Sequence, residues 1–152
     1  MYACDYPWWA AHIGELAGFA GERWSIDVCA RDRFGVRWLA GIDRPGLAPI
    51  AGEPPYHLHT GCNSGYQALG LAALFGAARI LLLGYDFGNA GALVHWHGSH
   101  PRGLGNGGHY PSWIAAMNRL AIDLEKSHIE VINCSRVSAL TCFPRRAIQA
   151  CL

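Results

Sequence analysis

The chain has 152 residues, of which 51% are hydrophobic and 15% charged, with a formal charge of +1 at pH 7. That composition excludes disorder, and the length suits one domain, residues 1–152, that buries its own core without disulfide or metal staples. The near-neutral balance leaves Arg145-Arg146 as the one adjacent basic pair and excludes nucleic acid as the expected partner.

Six cysteines (Cys4, Cys29, Cys62, Cys134, Cys142 and Cys151) form no CxxC pair and read as reduced thiols. Met1-Tyr2-Ala3-Cys4-Asp5 has neither a basic leader nor a long apolar stretch. The longest apolar run, around residues 69–83, is broken by Gly70, Gly76 and Arg79. A cytoplasmic location with no membrane partner is the expectation.

In chain order, residues 1–4 read as a short strand ending at Asp5. Pro7 opens a helix through Phe19, with Trp8, Ala11, Ile13 and Leu16 as candidate buried positions. Residues 24–30 fit helix or strand, residues 35–39 read as a strand, and the Gly and Pro density from Gly41 to Pro55 marks a loop. The turn Thr60-Gly61-Cys62-Asn63-Ser64-Gly65 leads into an apolar helix over 64–75, with Gly76 as its stop. Arg79-Ile80-Leu81-Leu82-Leu83-Gly84 lacks alternation, as does a strand buried on both faces of a parallel sheet. Residues 85–110 form a Gly- and His-rich loop, longer than ordinary connections and therefore expected to be functional. Residues 111–127 carry Trp113, Ile114, Met117, Leu120, Ala121 and Leu124 on one helical stripe. Glu130-Val131-Ile132-Asn133 is a last strand before an irregular tail. This βαβ succession implies an α/β fold whose loops gather at the carboxyl ends of parallel strands, where open sheets bind ligands.

The chemistry concentrates at those ends. A helix starting near Ser64 leaves amide groups unpaired at its positive pole. Gly61 and Gly65 allow close backbone approach, and Thr60, Asn63 and Ser64 offer side-chain contacts, together a seat for phosphate. The alternative is a helix simply capped by Asn63 or Ser64. Asp86 follows the leucine-rich strand, where a carboxylate can accept ribose hydroxyls, hold the water shell of magnesium or cap a turn. His95-Trp96-His97-Gly98-Ser99-His100 offers a general base or a phosphate contact, with His97 and His100 as candidates and His109 further along. His-x-His-x-x-His could also ligate zinc, but on a loop this spacing does not converge three rings unaided, so no metal-ligand set is assigned, and the remaining alternative is solvated or packed loop histidines. His57 and His59 could line the same pocket, and Ser135, Arg136 and Ser138, which follow the last strand at the same edge, could contact the phosphate or base of a nucleotide or simply form the turn into the tail.

Taken in order, Thr60-Gly61-Cys62-Asn63-Ser64-Gly65, Ile80-Leu81-Leu82-Leu83-Gly84-Tyr85-Asp86-Phe87, the histidine loop and Val131-Ile132-Asn133-Cys134-Ser135 through Ser138 resemble the core of the Rossmann-like bacterial sialyltransferases that use CMP-sialic acid. They are also similar to the motility-accessory-factor group, to the archaeal 6-hydroxymethylpterin pyrophosphokinases and, most closely, to small phage-encoded norphogenetic proteins. The likeness spans residues 56–144 well and the N-terminal third loosely. It implies a Rossmann-like three-layer domain with a mostly parallel sheet. Thr60, Asn63, Ser64 and Gly65 would hold the nucleotide, Asp86 would match the acidic position, and a loop histidine (His97 or His100) would act as base. Relatives begin with a further strand and an Asn-bearing loop; because Met1 stands almost on Tyr2-Ala3-Cys4-Asp5, a first βα unit is expected to be missing.

Three functions follow as expectations. One is a glycosyltransferase-like or pyrophosphokinase-like group transferase acting on a nucleotide or nucleotide-sugar. Another is a phage protein that sequesters a nucleotide without catalysis. The third is a homo-oligomeric module joined through some of Trp8, Trp9, Trp24, Trp38, Trp96 and Trp113.

Overall fold

Two aspartates set the first helices. In the computed structural model, which describes residues 1–49, 52–53, 56–61, 63–88, 104 and 109–152, the Trp8 amide donates to Asp5 at the start of α1 (Tyr6–His12). Asp27 accepts from the Cys29 and Ala30 amides at the start of α2 (Val28–Phe34), satisfying donors that have no partner inside a helix. Gly35, at φ +64°, ends α2 in the left-handed conformation that a side chain would disfavour. A single 3₁₀ turn, Ile13–Leu16, continues α1, so the helix expected through Phe19 stops earlier. The remaining elements are β1 (Trp24–Ser25), β2 (Arg37–Trp38), β3 (Ala40–Ile42), β4 (His57–His59), α3 (Ser64–Leu74), β5 (Arg79–Leu82), α4 (Tyr110–Lys126), β6 (Glu130–Asn133) and a closing 3₁₀ turn, Ile148–Ala150.

Every strand pairing is parallel. β1 pairs β2 with Trp24 opposite Arg37, β3 pairs β4 with Gly41 opposite Leu58, and β5 pairs β6 with Ile80 opposite Val131. Single parallel bridges add Tyr2 to Trp24 and Asn133 to Arg145. The units β1-α2-β2 and β5-α4-β6 are thus strand–helix–parallel strand, as the succession of elements implies.

The larger expectation is corrected. Instead of a Rossmann-like three-layer domain with one mostly parallel sheet, the described strands form three separate two-stranded ladders, none longer than four residues. The segment 37–42 divides its pairing, with β2 on β1 and β3 on β4, and no ladder joins β4 to β5 among the described residues. Strands of two to four residues carry few ladder bonds, and where a second neighbour is met, at Trp24 and Asn133, it is held by a single bridge. The leucine run is not covered on both faces either: Leu82 is buried, but Leu83 is 64% exposed and Arg79 lies at the surface.

Apolar burial is correspondingly divided. The largest cluster packs Tyr66 and Leu69 of α3 against Met117, Leu120 and Leu124 of α4 and against Leu82 and Val131 of the β5–β6 ladder. The stripe foreseen on α4 is the buried one, with Trp113, Met117, Leu120 and Leu124 inside. In α1 the buried residue is Trp9 rather than Trp8, Ile13 or Leu16, which are half-buried, or Ala11, which is exposed. Trp9 is fully inside because its indole N–H finds the Ala3 carbonyl at 3.1 Å.

None of the described helices is long and apolar enough to cross a membrane. Leu120→Ala is expected to lower stability by about 3 kcal/mol through loss of transfer energy and cavity formation. Ile122→Ala, on the exposed face of the same helix, should cost less than about 1 kcal/mol. Urea denaturation midpoints measured for the two variants check this contrast.

Candidate functional site

The start of α3 is built by Asn63. Its backbone is extended, and its side-chain oxygen accepts from the Tyr66 amide at 3.1 Å, so Asn63 is the N-cap. By helix geometry the Ser64 and Gly65 amides remain without intrahelical acceptors. Ser64 is exposed, and its hydroxyl lies 2.9 Å from the Cys4 sulfur.

Both glycines of the turn face aromatic rings of this same chain. Gly61 has φ +49°, and a Cβ there would collide with the Tyr66 ring. A Cβ on Gly65 would fall 3.0 Å from the Tyr85 ring, whose hydroxyl donates to the Gly65 carbonyl at 3.1 Å. Thr60 donates to Asp43 at 3.3 Å. The buried Gln67 ties the turn to the N-terminal segment: its amide donates to the Thr60 carbonyl at 2.8 Å and its oxygen accepts from the Tyr2 hydroxyl at 2.5 Å.

Segments that follow successive strands therefore meet at one place. Cys4 follows the bridging Tyr2, Asp43 follows β3, Thr60 follows β4 and Tyr85 follows β5, and all reach the first turn of α3 or its approach. From beyond β6, Ser135 and Ser138 act on Tyr85. Ser135 accepts from the Tyr85 amide at 2.8 Å, and Ser138 donates to its carbonyl at 2.6 Å. Ser138 also accepts from Asn133 and from the Leu140 amide. These serines, read from the sequence as nucleotide contacts, have their hydroxyls engaged in holding the Tyr85 backbone. Asp86 is half-buried, with its carbonyl held by the Ala139 amide at 2.7 Å. Cys62, His95, Trp96, His97 and His100 lie outside the described residues, and His109 stands at the start of α4 with its ring 5.9 Å from that of Trp113.

Burial sets the protonation of the mouth. It pushes the Cys4 thiol up to about 11, with the Ser64 hydroxyl pulling the other way and the Asp5 carboxylate adding to the rise, so Cys4 is a neutral thiol at pH 7. Burial likewise pushes the Tyr85 phenol up to about 12, which keeps it a donor.

A second cluster was not assigned from the sequence. Glu53, His57 and His59 bring one ligand atom each to within 4.8 Å of one another. His57 Nε2 and His59 Nε2 lie 2.8 and 3.0 Å from the same oxygen, Glu53 Oε2. Arg44 donates to the other oxygen at 2.6 Å, and the Gly46 carbonyl faces His59 Nδ1 at 3.0 Å. Two histidines at alternate positions of a strand lie on one face, a spacing readable in His57-Leu58-His59. Their convergence with Glu53 depends on the path of the intervening loop and was not readable. Away from both places, a groove of about 600 Å³ runs between α4 and the β6 end, lined in part by Ile122, Glu125, His128 and Cys142, and holds none of the expected site residues.

No protein-family model matches the chain, and no curated protein or solved structure matches it either.

Two outcomes follow from the mouth. Asn63→Ala should lower stability by about 1 kcal/mol through loss of the cap, measured by chemical denaturation. At pH 8 in the folded state, Cys4 should react with iodoacetamide at least tenfold more slowly than the exposed Cys29, as mass spectrometry of the labelled peptides would register.

Proposed function

We propose that this chain binds a nucleotide or nucleotide-sugar at the mouth formed by Thr60, Gly61, Asn63, Ser64, Gly65, Cys4 and Asp43. The observation that carries the reading is the meeting of several strand-following segments at the exposed first turn of an eleven-residue helix. The Ser64 and Gly65 amides and the Ser64 hydroxyl offer donors to a phosphate oxygen, in the field of the helix's positive end. Tyr85, packed over Gly65, narrows the seat to the Ser64 side. The neutral Cys4 thiol adds no charge that would repel the anion. Asp43, already accepting from Thr60, is suited to sugar hydroxyls or to the water shell of a magnesium ion that accompanies the phosphate. Group transfer from the bound nucleotide is the extension of this reading, with His97 or His100 as base.

Ser64→Asp tests the seat while sparing the helix, because a carboxylate in the first turn favours helix formation and repels phosphate. Calorimetric titration with cytidine, uridine, guanosine and adenosine mono- and diphosphates, with and without magnesium, should give micromolar binding of at least one. Ser64→Asp should weaken that binding at least tenfold. Absence of binding at about 1 mM for the whole panel, or unchanged affinity in Ser64→Asp, overturns the proposal.

A further inference from the structure

We infer that Glu53, His57 and His59 form a binding site for one divalent transition-metal ion of the zinc class. The site is separate from the nucleotide mouth and does not depend on it. Two imidazoles and one carboxylate are the donor set of borderline metals such as Zn²⁺, Co²⁺ and Fe²⁺, whereas Mg²⁺ and Ca²⁺ take oxygen ligands almost alone. The three ligand atoms already converge, with Glu53 Oε2 at 2.8 and 3.0 Å from the two Nε2 atoms. Metal–ligand bonds of about 2.0–2.1 Å in a tetrahedron place donors about 3.4 Å apart, so each of the two Glu53–imidazole contacts need open by only about half an ångström to admit the ion. The side chains are protected from water, being 0% exposed in His57, 1% in His59 and 10% in Glu53.

The surroundings orient the same three atoms. His59 Nδ1–H donates to the Gly46 carbonyl, the partner that metal-bound histidines commonly have on their other ring nitrogen. With Nδ1 turned to that carbonyl, Nε2 is the ring nitrogen that faces Glu53 Oε2, at 3.0 Å. A metal ion between them would take the place of a proton on that line. Arg44 holds Oε1 from the solvent side and leaves Oε2 turned to the rings. Three protein ligands leave a fourth position to water or another small ligand, and binding releases to solvent any proton shared between the carboxylate and the rings.

The test uses the full chain, stripped with chelator under reducing conditions and titrated with Co²⁺ and then Zn²⁺. One equivalent of Co²⁺ should bind with the weak visible absorption of nitrogen and oxygen ligation, without the intense near-ultraviolet band of thiolate ligation, and Zn²⁺ should displace it. Glu53→Gln and His59→Gln should each weaken binding at least about 100-fold, and the double variant His97→Ala/His100→Ala should leave it unchanged. Should either ligand variant fail to fold, the unaltered protein still answers: its melting temperature should rise with Zn²⁺ and fall back with chelator. Several outcomes overturn the assignment: no stoichiometric metal and no thermal shift, a thiolate spectrum, or loss of binding in His97→Ala/His100→Ala instead of His59→Gln. With no metal bound, the cluster is an ion-pair network of Arg44, Glu53 and the two imidazoles.

Discussion

One carbonyl oxygen organises the middle of this chain. Gly46 is buried at φ +93°, and a Cβ there would lie 2.6 Å from Asp123 Oδ2, so a side chain would strain the backbone and displace that carboxylate. The same carboxylate oxygen accepts from the Leu47 amide at 3.1 Å, which docks the turn on α4. The Gly46 carbonyl then accepts from the Tyr66 hydroxyl at 2.5 Å and from His59 Nδ1 at 3.0 Å. A single backbone group thereby couples α3, α4 and β4, elements that share little ladder bonding. Where the described strands form ladders of two, such side-chain-to-backbone ties carry much of the task of fixing elements relative to one another.

Both proposed sites inherit their geometry from this tie. Tyr66, held by its hydroxyl, sets its ring against Gly61 and so shapes the turn that precedes the Asn63 cap. His59, held by Nδ1, turns Nε2 toward Glu53. Thr60 follows directly, so β4 delivers imidazoles into the interior along its length and a hydroxyl to the mouth at its end. The mouth faces solvent through Ser64, while the histidine pair is enclosed. The two places therefore suit different chemistry, exchange of a small molecule at one and retention of an ion at the other.

What was legible in the sequence was local. The spacing of Trp113, Met117, Leu120 and Leu124 announces α4 and its buried face, and Gly76 (φ +82°) marks the end of α3, because periodicity and backbone permission act within a few residues. The strand at 130–133 was equally readable. Which strand pairs with which was not, since the division of 37–42 between β1 and β4 is decided by distant partners. Gly61 and Gly65 were readable as points of close approach, but the approaching groups are the rings of Tyr66 and Tyr85. Glu53 sits in a stretch whose Gly and Pro content reads only as loop. Its meeting with His57 and His59 emerges once the turn at Gly46 is folded against Asp123.

The protonation of His59 tests this account most directly. Long-range ¹H–¹⁵N spectra of the imidazoles, recorded before and after one equivalent of Zn²⁺, should show a persistent proton on Nδ1 and a large shift of Nε2 alone on metal addition. A ring protonated only at Nε2 and indifferent to zinc would contradict both the Gly46 tie and the site that hangs on it.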